Sequence, residues 1–108
     1  MTAVATTLGR LRALERLYAQ GYADEVVDLT VRKLLEHQIQ KDEAQLAELR
    51  EDLTRFEGRY AMTSADFHTR YQAGQMGDDA DVFEWNALYM MQSRLTDAVK
   101  ILRGQLRE

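Results

Sequence analysis

The run from Leu35 to Tyr60, LEHQIQKDEAQLAELREDLTRFEGRY, decides the architecture. Within it Leu35, Ile39, Asp42, Leu46, Leu49, Leu53, Phe56 and Tyr60 follow one another at alternating spacings of four and three, the heptad period that lines residues along one seam of a continuous helix. Asp42 alone breaks the apolar pattern. It reads either as a polar residue that fixes register against a basic partner, or as the cap of a new helix with Gln45 at its third position. Upstream, Tyr22, Val26, Leu29 and Leu34 keep a helical period, so the helix is expected to cover 23–58.

A second seam follows near the C-terminus: Trp85, Leu88, Gln92, Leu95, Val99, Leu102 and Leu106. Asp81 suits the N-cap, with Glu84 three residues on, and Asp78 and Asp79 are alternative caps, which predicts a helix over 81–104. Run antiparallel, a register that pairs Phe56 with Trp85 also pairs Leu53 with Leu88, Leu46 with Leu95 and Ile39 with Leu102. Between the seams a short helix over 64–73 is predicted, capped by Thr63 or Ser64 and carrying Phe67 and Tyr71 on one side. Gly74 and Gly77 punctuate the turn after it. Met62, Phe67, Tyr71 and Met76 are expected to close the open end of the hairpin.

Two helices cannot enclose a core alone, so the N-terminal segment Leu8 to Tyr18, with Leu11, Leu14 and Leu17, or a second copy of the chain, must contribute. The expected fold is therefore all-α: an antiparallel helical hairpin with long heptad-patterned helices and a short connecting helix, in a dimeric helical bundle. One domain over 1–108 is expected, with residues 1–7 loosely ordered.

Composition narrows the function classes. Apolar residues make up 45% and charged residues 30% of the 108, a balance that supports folding, and the absence of proline suits long helices. Without cysteine there is no disulfide framework, thiolate metal site or cysteine nucleophile. No apolar run approaches a membrane span and Met1 to Leu8 lacks the pattern of a signal peptide, so a cytoplasmic location is expected. The net charge of −4 disfavours non-specific binding to nucleic acid.

Candidate chemistry is sparse. His37 and His68 lack neighbours at metal-ligand spacing, and Ser64 and Ser93 lack a base or a glycine elbow, so no catalytic residue, metal site or cofactor is expected. The acidic run Asp78, Asp79, Asp81 and Glu84 lacks the spacing of a calcium loop and reads first as charge at a helix start. Tyr89, Met90 and Met91 read first as packing. Residues 78–84 hold four acids and no base, whereas Arg10, Arg12, Arg16, Arg32, Lys33, Lys100, Arg103 and Arg107 gather elsewhere. Dipole compensation explains part of this; an acidic tip that engages a basic protein explains it as well.

The segment from Tyr60 to Tyr89, with Met62, Ser64, Asp66, Phe67, Tyr71, Gly74, Gly77, Asp78, Asp79, Asp81, Glu84, Trp85 and Leu88 as its marks, resembles small helical prokaryotic proteins of the antitoxin type, found in toxin–antitoxin gene pairs. The resemblance implies a non-catalytic protein that neutralises a cognate toxin, such as a ribonuclease with a basic groove, by covering its surface. Phe67, Tyr71, Trp85 and Tyr89 would then divide between core and anchor, and Asp78, Asp79, Asp81 and Glu84 would face the partner. The DNA-binding module that many antitoxins carry has no counterpart here. The alternative is a structural or scaffolding helical dimer without a toxin partner.

Overall fold

The computed structural model describes residues 2–107, and among them every regular element is helical. The helices are α1 (Ala3–Ala19), α2 (Glu25–Tyr60), α3 (Ser64–Gln72) and α4 (Ala80–Gly104). The chain divides into two compact units, one up to Leu34 and one from Leu35, where a single domain over 1–108 was expected. The reason lies in helix length. In the register that pairs Phe56 with Trp85, Leu106 falls opposite Leu35, so the paired part of α2 is used up where the second unit begins.

The first unit holds α1, the turn after it and the start of α2. Within 1–7, where loose order was expected, Thr2 Oγ1 accepts the Ala5 N–H at 3.1 Å, a side-chain cap that starts α1 at Ala3. Met1 lies outside the described residues. α1 ends at Ala19, and the chain turns at Gly21, whose φ of 96° suits glycine, while the Tyr22 N–H returns to the Leu17 carbonyl at 3.1 Å. Asp24 then starts α2 by accepting the Val26 and Val27 N–H groups at 2.8 and 3.1 Å. Leu11, Leu14 and Leu17 were expected to help enclose a core. They are exposed instead, and α1 buries none of its residues.

The second unit is a three-helix assembly around two clusters. Leu53, Phe56, Phe67, Val82 and Trp85 form one, flanked by Tyr60, Met62, Tyr71, Met76, Leu88 and Tyr89. Ile39, Leu46 and Val99 form the other, flanked by Leu95, Leu102 and Leu106. Cross-helix polar contacts fix the antiparallel sense: Arg59 donates to Asp81 at one end, and Arg103 donates to Glu43 toward the other, each at 2.7 Å. Such exposed pairs contribute little energy by themselves, about 0–1 kcal/mol each, and their value here is directional.

Asp42 does not start a new helix, since α2 runs unbroken through it. Its buried carboxylate accepts a hydrogen bond from Gln38 Nε2 at 2.8 Å, one turn earlier, which satisfies the polar group without interrupting the backbone. α2 ends at Tyr60 because Ala61 turns to φ 53° and the Met62 N–H caps the Glu57 carbonyl at 3.3 Å. A left-handed alanine costs about 1–2 kcal/mol, so the packing of Met62 and α3 beyond it must offset that strain.

Leu49 is among the buried residues of α2. Leu49→Asp places an unpaired carboxylate there and is expected to lower stability by about 3–5 kcal/mol, read from urea unfolding monitored by helical circular dichroism. A loss below about 1 kcal/mol would show that this part of the hairpin is not a core.

Candidate functional site

The end of the hairpin where α2, α3 and the start of α4 meet gathers most of the residues singled out from the sequence. Its centre is Trp85, which is 0% exposed. The Phe67 ring stacks on it with centroids 3.9 Å apart at 9°, and Phe56 and Tyr60 lie at 5.6 and 5.5 Å. The indole Nε1–H donates to Ser64 Oγ at 2.9 Å. Thr63, and not Ser64, is therefore the helix cap, accepting the Asp66 N–H at 3.1 Å. Glu57 reaches across from α2 to accept the Ser64 N–H at 2.7 Å, placing a carboxylate against the free N–H groups of α3.

Phe67 is likewise 0% exposed. A partner cannot reach either ring without opening the core, so both fall on the packing side of the expected division. Tyr71 and Tyr89 are half-buried at the edge of the same cluster. His68 sits beside Tyr89 with ring centroids 4.9 Å apart, and its Nδ1 lies 3.2 Å from Asn86 Oδ1. That histidine is satisfied by packing and a polar neighbour.

The acidic run separates into two kinds of carboxylate. Asp81 was expected at the cap but lies inside the first turn of α4, because the helix opens two residues earlier at Asp79. Its Oδ2 accepts from Arg59 at 2.7 Å and from the Tyr60 hydroxyl at 2.9 Å. Asp79 holds the cap position, yet its side chain makes no capping hydrogen bond; its backbone carbonyl accepts the Val82 and Phe83 N–H groups instead. Asp78, Asp79 and Glu84 are exposed. Asp52, Arg55, Phe56, Arg59, Asp81 and Glu84 line an open, mixed-charge groove of about 230 Å³, in which Arg55 also pairs with Asp52. Arg55 is taken up by Asp52 and Arg59 by Asp81, which leaves Glu84 as the remaining charge of the groove.

Sequence reading missed Phe83. It is 53% exposed and points away from the core, between the buried Val82 and Trp85. Ala87, Met90, Arg94 and Ile101 continue from it at helical spacings on the exposed side of α4. The available signal was that Phe83 fits neither the three-four seam nor a polar outer face. Among the described residues no three His, Asp or Glu side chains converge as metal ligands would, and no helix is long and apolar enough to cross a membrane. No family model, curated protein or solved structure matches the chain.

Two measurements test this geometry. Ser64→Ala leaves the buried indole N–H without its acceptor and is expected to cost about 1–3 kcal/mol of unfolding free energy, with a shift in tryptophan emission; an unchanged stability would mean that the bond contributes nothing.

The Asp81 pair sets a pH dependence. The Tyr60 hydroxyl first, then Arg59, hold the Asp81 carboxyl below its ordinary 3.8, while the bond to Asp81, followed by desolvation, raises Tyr60 above its ordinary 10.0. A carboxyl lowered in the fold adds stability above its unfolded value and loses it as pH falls through the folded one. A phenol raised in the fold adds stability below its unfolded value and loses it as pH rises through the folded one. Stability from this pair should therefore be level between those limits and decline beyond each. Asp81→Asn is expected to flatten both declines in denaturation midpoints measured against pH, and identical profiles for the two proteins would exclude the pairing.

Proposed function

We propose that the chain is a non-catalytic protein-binding module that works in the cytoplasm as a homodimeric helical bundle, and that within this class it is an antitoxin which neutralises a cognate toxin by direct contact. The observation that carries the binding reading is the outer surface of the hairpin end. Exposed Asp78, Asp79 and Glu84 surround the start of α4, and exposed Phe83 leads from them along its outer side. Acidic charge beside an accessible aromatic ring complements a basic protein surface with an apolar recess. The antitoxin assignment rests on the resemblance carried by Tyr60 to Tyr89, and a ribonuclease is the toxin class whose basic groove fits this charge. The alternating three-four seams support a bundle of the heptad type.

A structural helical dimer is the second reading, and one observation favours it: Phe67 and Trp85, two aromatic marks of the resembling segment, are wholly committed to the core. Recovery of the tagged chain from its native host separates the two. The antitoxin reading expects a basic partner in fixed stoichiometry whose RNA cleavage the chain blocks; a lone stable dimer supports the scaffold.

With that partner isolated, Asp78→Asn combined with Asp79→Asn should preserve helicity, slow association about tenfold at low salt and flatten its salt dependence. Asparagine retains capping ability, so the comparison isolates charge. Unchanged association rate and salt dependence would return the cluster to the role of a helix start.

A further inference from the structure

We infer that residues 2–34 are the surface through which two copies of this chain associate, in a two-fold arrangement that sets the basic α1 of one copy against the acidic start of α2 in the other. The inference rests on the homodimer reading above and names its interface.

The first observation is an apolar stripe without cover. Val4, Leu8, Leu11, Leu14 and Leu17 recur at spacings of four and three along α1, which gathers them on one broad side of the helix. All five are exposed, Val4 at 76% and Leu11 at 52%. α1 has 17 residues and buries none of them. Isolated helices of that length are marginal in water, because the cost of nucleation is recovered in proteins mainly by packing an amphipathic face. The start of α2 adds exposed Val26, Leu29, Val31 and Leu34. Val26 and Leu29 share one side of α2 and Val31 and Leu34 the other, so one of these pairs at most joins the stripe of α1.

The second observation is how charge is divided between the two segments. α1 carries Arg10, Arg12 and Arg16 against a single acid, Glu15, whereas residues 24–28 carry Asp24, Glu25 and Asp28 and no base. The turn between the two segments is pinned. Tyr18 donates its hydroxyl proton to Asp28 Oδ1 at 2.7 Å, the Asp24 N–H donates to the same hydroxyl at 3.3 Å, and the Tyr18 and Tyr22 rings meet edge to face at 5.7 Å. A two-fold interface must be complementary to itself. Two segments of opposite charge, joined by a pinned turn and sharing an apolar stripe, satisfy that condition under a half-turn. A foreign partner would more simply be met by one sign of charge, as at the end of the hairpin.

The test uses the 108-residue chain and sedimentation equilibrium from about 1 to 100 μM, a range that covers micromolar association. The wild type is expected to sediment as two copies. Leu11→Ser combined with Leu17→Ser should weaken association by about 100-fold or more while leaving Trp85 emission unchanged, since the substituted residues are exposed. Arg12→Glu combined with Arg16→Glu should weaken it about tenfold at low salt, with the difference closing as salt rises. A wild type that stays monomeric at 100 μM overturns the homodimer reading and this inference together. A dimer that survives the double serine change overturns this inference alone and moves the interface to the hairpin. Charge reversal that leaves association unchanged overturns the two-fold pairing of α1 with the start of α2.

Discussion

The burial of Trp85 is the constraint from which the second unit is assembled. An indole bears a large apolar surface and one polar N–H, and both must be accommodated at once. Removing such a side chain from water stabilises the fold by about 4–6 kcal/mol, a large share of the total stability of a small domain, provided the N–H keeps a partner. Phe67 and Phe56 supply the flat faces, and Ser64 supplies the acceptor. Ser64 can sit there only if α3 starts at once after α2, which the strained turn at Ala61 makes possible. Glu57 then neutralises the free helix start that this turn creates. One side chain on α4 thus dictates where α2 stops and where α3 begins.

The same short stretch of α4 faces two ways. Trp85 and Val82 point inward, Phe83 points outward, and Asp81 bridges sideways to Arg59 and Tyr60. The inward residues hold the backbone rigid, and that rigidity is what gives an exposed ring and three exposed carboxylates a defined geometry. An interface residue on a fixed helix loses little conformational freedom on binding, so its contacts are not spent on ordering the chain. The structural role of the aromatic cluster and the binding role proposed for the outer surface therefore support each other. Neither requires Trp85 to touch a partner.

Helix positions and the antiparallel register were legible because periodicity reports burial directly: a three-four pattern has one side, and that side must be covered. The register that pairs Phe56 with Trp85 rests on the match of apolar residues along both seams, and the two rings do stack. Single polar residues were harder. Asp42 could have ended α2; its partner Gln38 stands at the i,i+4 spacing of a helical pair, but the spacing alone does not choose between that bond and a capping role. The cap of α4 shifted from Asp81 to Asp79 for a similar reason, since three nearby acids compete for one position and the choice depends on Arg59 and Tyr60, more than twenty residues upstream in the chain. Phe83 went unread because a seam-based search looks for residues that complete the core.

The two units also differ in where their order comes from. From Leu35 onward, buried apolar residues from α2, α3 and α4 meet one another within one copy of the chain, and the helices are stabilised by that mutual cover. Up to Leu34 the helices are locally well specified, with Thr2 and Asp24 as caps and a turn at Gly21 after α1, yet among the described residues no apolar side chain there is buried. Caps and turns contribute about 1 kcal/mol each and select a conformation; they do not supply the burial that offsets the entropy of fixing it. A segment that is locally encoded but uncovered draws its remaining stability from whatever covers it, so its helix content is linked to binding by mass action. The chain accordingly separates a part whose shape is set by its own core from a part that is specified by caps and turns without such a core.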